Sequence, residues 1–212
     1  MRVWEVYQSG GPVMWPLLAC SFLALVVILE RLMFWFGFFR GRDRILAGKV
    51  LELASGGDWE SIRKRTAQSN DYVIRVLVSG ILHRDYDMGR AMEAEAESQV
   101  QKMQKFMGVL DTMITVSPLL GIFGTVLGII TSFKMLGMAG LDDPRAVTGG
   151  IAQALITTAA GLGIAIISVF PYNYFNSRIE HATHEMEKYA TSLELAYGRY
   201  LRTTEKEHGD QA

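Results

Sequence analysis

The chain has 212 residues, half of them hydrophobic and one-fifth charged, with a formal net charge of −1 and a mean hydropathy of +0.17. That balance provides no basic field for a nucleic acid, no basic–aromatic interleaving suggests a nucleic-acid surface, and a single cysteine, Cys20, excludes an intrachain disulfide. Charge is strongly segregated: 22 charged residues fall in 40–106 and 12 in 178–212, leaving 22 uncharged residues after Asp111 and 32 after Arg145. An apolar helix of about 20 residues crosses the hydrocarbon core of a bilayer. The chain therefore reads as an all-α membrane protein with three transmembrane helices, spans 2 and 3 extending into a cytoplasmic helical domain.

In chain order, residues 1–12 form an N-terminal segment and 13–39 the first span, interrupted only by Glu30-Arg31. Its start carries Glu5 as well as Arg2 and is followed by no A-x-A site, so it reads as an uncleaved helix rather than a signal peptide. Rings crowd both ends, with Trp4, Tyr7 and Trp15 at one and Phe34, Trp35, Phe36, Phe38 and Phe39 at the other, as an interfacial aromatic belt predicts. Cys20 lies inside this apolar run as a small hydrophobe.

Residues 40–107 make the first polar region. Helices are expected over 43–54 and 71–84, with Ser55-Gly56-Gly57 as a turn. Met88–Met107 is rich in helix formers and is expected to run unbroken into the second span. That span covers 108–137, a loop covers 138–148 with a turn at Asp142-Asp143-Pro144, and the third span covers 149–175. Residues 176–212 form a C-terminal helix and tail. Within it Ile179, Ala182, Met186, Tyr189, Leu193, Ala196 and Tyr200 recur at steps of three and four, a seam that calls for a partner helix. No breaker separates that helix from the third span.

Arg40, Arg42, Arg44, Lys49, Lys102, Lys105 and Arg178 flank the spans on one side, against Arg2, Lys134 and Arg145 on the other. The positive-inside rule then places 40–107 and the tail in the cytoplasm, and the N-terminus and 138–148 outside.

The second and third spans hold more than lipid-soluble side chains. Gly121, Gly124, Gly128 and Gly161 stand at the spacing that lets helix backbones meet closely in a membrane. Thr125 and Thr158, with the neighbouring Thr157, carry hydroxyls that either bond back to their own helices or line a polar path. Asp111 is either an interfacial acid or a pathway group, and Glu30 with Arg31 either an interfacial ion pair or a polar pair at the pathway's inner mouth. Gln153 either bonds across helices or marks the outer boundary. No enzyme signature appears: His181-Ala-Thr-His184-Glu185 is not a zinc-protease motif, the Gly121–Gly128 stretch lacks the ending of a phosphate loop, and no metal or cofactor set is expected.

The strings SPLLGIFGTVLGIITSF (117–133) and GIAQALITTAAGLGIAIISVFPYNYF (150–175) resemble the MotA/TolQ/ExbB proton channel family, closest to its ExbB and TolQ branch. The resemblance implies a homopentamer enclosing two copies of a single-span ExbD- or TolR-like partner, whose membrane aspartate carries the proton. It implies Thr125 and Thr158 as pore threonines, Glu30 and Arg31 as the inner pair, and work delivered to a TonB- or TolA-like protein across the inner membrane. In one place the chain departs from the family's pattern: Gln153 stands where ExbB proteins commonly carry Glu, and an amide does not titrate. The competing expectations are a non-conducting membrane scaffold and a specialised stator of the same superfamily using another ion or cargo.

Overall fold

The computed structural model describes residues 10–139 and 144–209; Trp4, Tyr7 and the Asp142-Asp143 part of the expected turn lie outside them. The described residues form seven helices and no strand: α1 Met14–Arg40, α2 Arg44–Ser55, α3 Trp59–Thr66, α4 Tyr72–Leu82, α5 Met88–Gln104, α6 Met107–Ala139 and α7 Pro144–Gly209. Helices α1, α6 and α7 each hold a segment long and apolar enough to cross a membrane, and only 22–28% of each such window is buried within the chain. The remaining apolar surface faces lipid or other chains, because water would not tolerate it.

The chain divides into two compact units, one from the stretch up to Leu32 with Phe106–Phe175, the other from Met33–Lys105 with Asn176 onward. In the first unit Val13, Met14 and Leu17 at the start of α1 are buried, and Leu120 and Leu127 of α6 and Ala160 and Ile164 of α7 pack against them. All three apolar helices therefore share one small core.

The second unit is a conventional helical core. Each of α2 to α5 starts on an aspartate whose carboxylate accepts a backbone N–H of the first turn: Asp43 from Leu46, Asp58 from Ser61, Asp71 from Val73 and Asp87 from Arg90, at 2.8–3.1 Å. Helix α4 is buried through Val73, Ile74, Val76 and Leu77 and packs on α5, its own Gly80 leaving room for Met88 and Met92 of α5. The expected seam of α7 is confirmed by burial of Ile179, Ala182, Met186, Leu193 and Ala196, with Tyr189 and Tyr200 half-buried.

Three local features differ from the sequence expectation. The connection expected over 138–148 is shorter, because α6 continues to Ala139 and α7 opens at Pro144, whose fixed φ suits a first helical position. Residues 59–66 form a helix that the turn-forming Ser55-Gly56-Gly57 obscured; its Asp58 cap, Glu60 in the first turn and Arg63, Lys64 and Arg65 in the last match the helix dipole at both ends. Met88–Met107 is not one helix. It ends at Gln104, and Phe106 takes φ +64° before α6 begins at Met107. A bulky side chain in the left-handed region costs on the order of 1–2 kcal/mol, so local preference does not impose this break. Helix α7, by contrast, runs unbroken for 66 residues past Pro171.

Candidate functional site: the interface of the second and third apolar helices

Helices α6 and α7 meet along small residues. The buried stripe on α6 runs through Ser117, Gly121, Gly124, Gly128 and Ser132, and that on α7 through Gly150, Ala154, Thr157, Gly161, Ala165 and Ser168. A Cβ added at Gly128 would lie 2.7 Å from the Gly150 carbonyl oxygen and 2.9 Å from the Ala154 Cβ; one at Gly121 would lie 3.0 Å from the Thr157 carbonyl. Gly124 faces the Thr157 side chain, and Gly161 faces the Ser117 carbonyl. The four glycines singled out in the sequence thus lie along one antiparallel contact within a single chain, Gly121, Gly128 and Gly161 against backbone and Gly124 against the Thr157 side chain. Close approach of this kind replaces the hydrophobic drive that lipid removes.

The threonines fall on different parts of this interface. Thr158, half-buried, donates its hydroxyl across the interface to the Gly121 carbonyl at 3.0 Å. Thr125, also half-buried, donates to Ile122 of its own helix at 2.5 Å and lines a cavity of about 350 Å³ with Ser132, Ala154 and Leu155. Thr157 is 1% exposed, donates to the Ala154 carbonyl at 2.8 Å and fills the space left by Gly124. Within the chain Thr157 therefore follows the first of the two alternatives drawn from the sequence, a hydroxyl bonded back to its own helix, and has almost no surface outside the packed pair. Ser117, absent from the candidates drawn from sequence, is fully buried with no hydrogen-bond partner for its Oγ among the described residues.

The other candidates lie apart from this contact. Asp111 is exposed near the start of α6. Gln153 is half-buried, and its amide sits directly over Gly11, whose φ of +70° and missing Cβ admit it. Gln153 is therefore packed at the entry to α1. Arg31 is 1% exposed and holds Glu30 through Nε at 2.5 Å and Nη2 at 2.7 Å, with its guanidinium 5.8 Å from the Phe106 ring centroid. A guanidinium buried in an apolar helix needs such a bidentate carboxylate and an aromatic face.

The model of the MotA/TolQ/ExbB proton channel family matches residues 67–188, more than half the chain, with all of α6 and α7 as far as residue 188. The chain belongs to that family. It is 31% identical to the ExbB-like 3 protein of Synechocystis sp. over 91% of this chain and 94% of that one. It is 32% identical to an ExbB homologue of Methanothermobacter thermautotrophicus over 87% of this chain and 67% of the other. The Tol-Pal system protein TolQ of Pseudomonas aeruginosa shares 34% identity over 56% of this chain and 51% of its own length. As a MotA/TolQ/ExbB family member the protein is a membrane protein of a channel and transport family, and its small-residue helix pair lies within the matched region.

The second unit carries an ionic cluster that charge counting did not single out. Arg42 Nη1 donates to both Asp71 oxygens at 2.9 Å, Nη2 pairs with Glu185, and the guanidinium lies 4.7 Å from the Tyr72 ring centroid. Tyr72 donates its hydroxyl to Glu185 at 2.6 Å and stacks on Phe38. Burial, followed by the hydrogen bond to Glu185, pushes the Tyr72 hydroxyl well above the ordinary tyrosine value. Burial alone would lower the Arg42 guanidinium, but Tyr72, Asp71 and Glu185 together outweigh it and hold it above its usual value. The cluster ties the α1–α2 connection, the start of α4 and the extension of α7 into one piece.

Proposed function

We propose that this chain is the channel-wall subunit of an inner-membrane energy transducer that converts the proton-motive force into work on a periplasmic partner. It would act as a homopentamer around two copies of an ExbD- or TolR-like single-span protein, with a TonB- or TolA-like protein receiving the work. The N-terminus would face the periplasm and the second unit the cytoplasm. Relatives named for biopolymer transport and for the Tol-Pal system support this reading.

The observation that carries it is the half-exposed placement of Thr125 and Thr158 beside a tightly closed helix pair, in a member of a proton channel family. A carboxylate in hydrocarbon is costly unless polar groups surround it. A ring of such helix pairs would present Thr125 and Thr158 hydroxyls to a partner's carboxylate, while Thr157 and the glycines keep the wall closed. Glu30 and Arg31 would form a fixed polar pair at the inner end, Asp111 would contribute charge near the inner mouth, and Gln153 would hold the outer end without titrating. One charge crossing 100 mV releases about 2.3 kcal/mol, so several protons are needed to drive a sizeable motion.

The decisive test is proton flux in vesicles containing the chain and a co-expressed single-span, aspartate-bearing partner. The proposal expects flux in the wild type and its loss in Thr158→Val with the complex intact. Undiminished flux in that variant would remove Thr158 from the pathway. A non-conducting scaffold is the second reading, favoured by the bonding of Thr125 and Thr157 to carbonyls of their own helices; absence of flux in an intact wild-type complex would select it.

A further inference from the structure

The second unit holds a cavity of about 450 Å³ beside the last turn of α1, within the range of small-molecule sites. Trp35 and Phe38 of α1, Arg42 and Arg44 at the start of α2, and Arg178 and Lys188 of α7 line it. Four permanent cations therefore converge on one concavity, and among the described residues the only carboxylate in its lining is Glu185.

That carboxylate is already shared among Arg42, the Tyr72 hydroxyl and a longer contact to Arg44 at 3.7 Å. Arg42 is committed to Asp71, Glu185 and the Tyr72 ring. Arg44 and Lys188 are not committed in this way. The Arg44 side chain is 76% exposed, and Lys188 is exposed and enters no ion pair among the described residues. His181 and His184 stand in the same wall, with His184 facing Glu187 at 3.2 Å.

The position of the cavity narrows the ligand. The apolar segment of α1 ends at Phe38, and Met33 and Phe36, 76% and 72% exposed, lie within a turn of Trp35. Cations gathered around a cavity at the end of an apolar helix, with aromatic rings beside it, suit a phosphate that carries hydrocarbon. A general excess of basic residues near a span end would place them on convex surface, where each is solvated separately. Here they share one space.

We propose that this cavity binds the phosphate of an anionic glycerophospholipid, with Arg44 and Lys188 as its principal cations and the acyl chains lying along the exposed face of α1. The inference stands whether or not the chain conducts protons.

Native mass spectrometry of the full-length chain, delipidated in detergent and titrated with phosphatidylglycerol, phosphatidylcholine or inorganic phosphate, tests it. One phosphatidylglycerol per chain is expected to survive detergent removal, with phosphatidylcholine lost. The double variant Arg44→Gln/Lys188→Gln is expected to weaken retention by roughly thirtyfold, at about one kilocalorie-scale contact per cation removed. Both side chains are exposed, so the fold should persist, which circular dichroism checks. Arg63→Gln/Arg65→Gln, an equal charge change on α3, is expected to leave retention unaltered. Equal loss in both double variants, or equal retention of the two lipids, would overturn the site. Displacement of the lipid by millimolar inorganic phosphate would overturn the lipid as its source and assign the cavity to a soluble phosphate.

Discussion

Thr158 Oγ1 donates to the carbonyl oxygen of Gly121 at 3.0 Å, joining two apolar helices through a residue that has no side chain of its own. A carbonyl has two lone pairs, so Gly121 accepts this bond in addition to its helical one. The absence of a Cβ at Gly121 lets the Thr158 backbone come close enough for the bond to form.

Thr158→Val keeps the shape and removes the donor. Interhelical bonds of this kind in membranes contribute roughly 0.6–1.7 kcal/mol, too little to dismantle the chain. The expected outcome is loss of proton flux with a small fall in thermal stability, while Thr158→Ser retains both. Dissociation of the complex in Thr158→Val would show that the hydroxyl is structural.

Gly128→Leu should be far more damaging to the fold, because even a Cβ there meets the Gly150 carbonyl, a backbone atom that cannot turn aside. A loss of more than about 3 kcal/mol is expected from such overpacking. Gly137→Leu is the control, since nothing lies within 4 Å of a Cβ built at Gly137. Thermal unfolding and monodispersity in detergent distinguish the two, and equal behaviour would contradict the packing described for α6 and α7.

Ser117→Ala removes a buried hydroxyl that has no hydrogen-bond partner among the described residues. An unsatisfied buried polar group costs about 1–3 kcal/mol, so the variant is expected to be at least as stable as the wild type. A marked fall in melting temperature would mean that the hydroxyl is satisfied in the assembled protein.

Acid should loosen the second unit through Glu185. Burial alone would raise its carboxyl, but hydrogen bonds from Tyr72 and Arg42 and the charges of Arg42 and Arg44 hold it below its ordinary value of 4.5. A depressed folded value means that this contribution is fully present above about pH 4.5 and is lost as pH falls through the folded value. The melting temperature between pH 7 and pH 3 is expected to fall less steeply in Glu185→Gln than in the wild type. Parallel curves would remove Glu185 from the acid response.

Asp71 combines three tasks: it caps α4 through Val73, accepts the Asp43 N–H at 2.7 Å and neutralises Arg42. Asp71→Ala is expected to cost about 3–5 kcal/mol, because it leaves a partly buried guanidinium short of a partner as well as an uncapped helix. Asp71→Asn keeps the cap and should lose less. Limited proteolysis of the α2–α4 region checks the order of the two.

Much of this architecture was legible in the residues. Runs free of charge marked three apolar helices because charge burial in lipid is so costly that sequence must avoid it. The α7 seam was legible because a helix repeats its buried face every three to four residues. Helix α3 was missed beside two glycines, although the aspartate caps that open α2 to α5 were a readable signal for it. The interruption at Phe106 left no such mark: Lys105-Phe106 contains neither Gly nor Pro, yet Phe106 takes φ +64°.

The same division holds for the site. Sequence by itself determined the membrane class, the small-residue faces and the threonines worth weighing, because these follow from local composition and period. Only the tertiary structure decided which hydroxyl crosses the interface. Thr157 and Thr158 are adjacent and chemically identical, but successive helix positions turn by about 100°. One side chain therefore closes against Gly124 and the other reaches Gly121, and that choice depends on the register of α7 against α6, which no local pattern encodes. The cluster of Arg42, Asp71, Tyr72 and Glu185 had the same origin: its members are up to 143 residues apart in sequence (42 to 185), and only the folded chain brings them together.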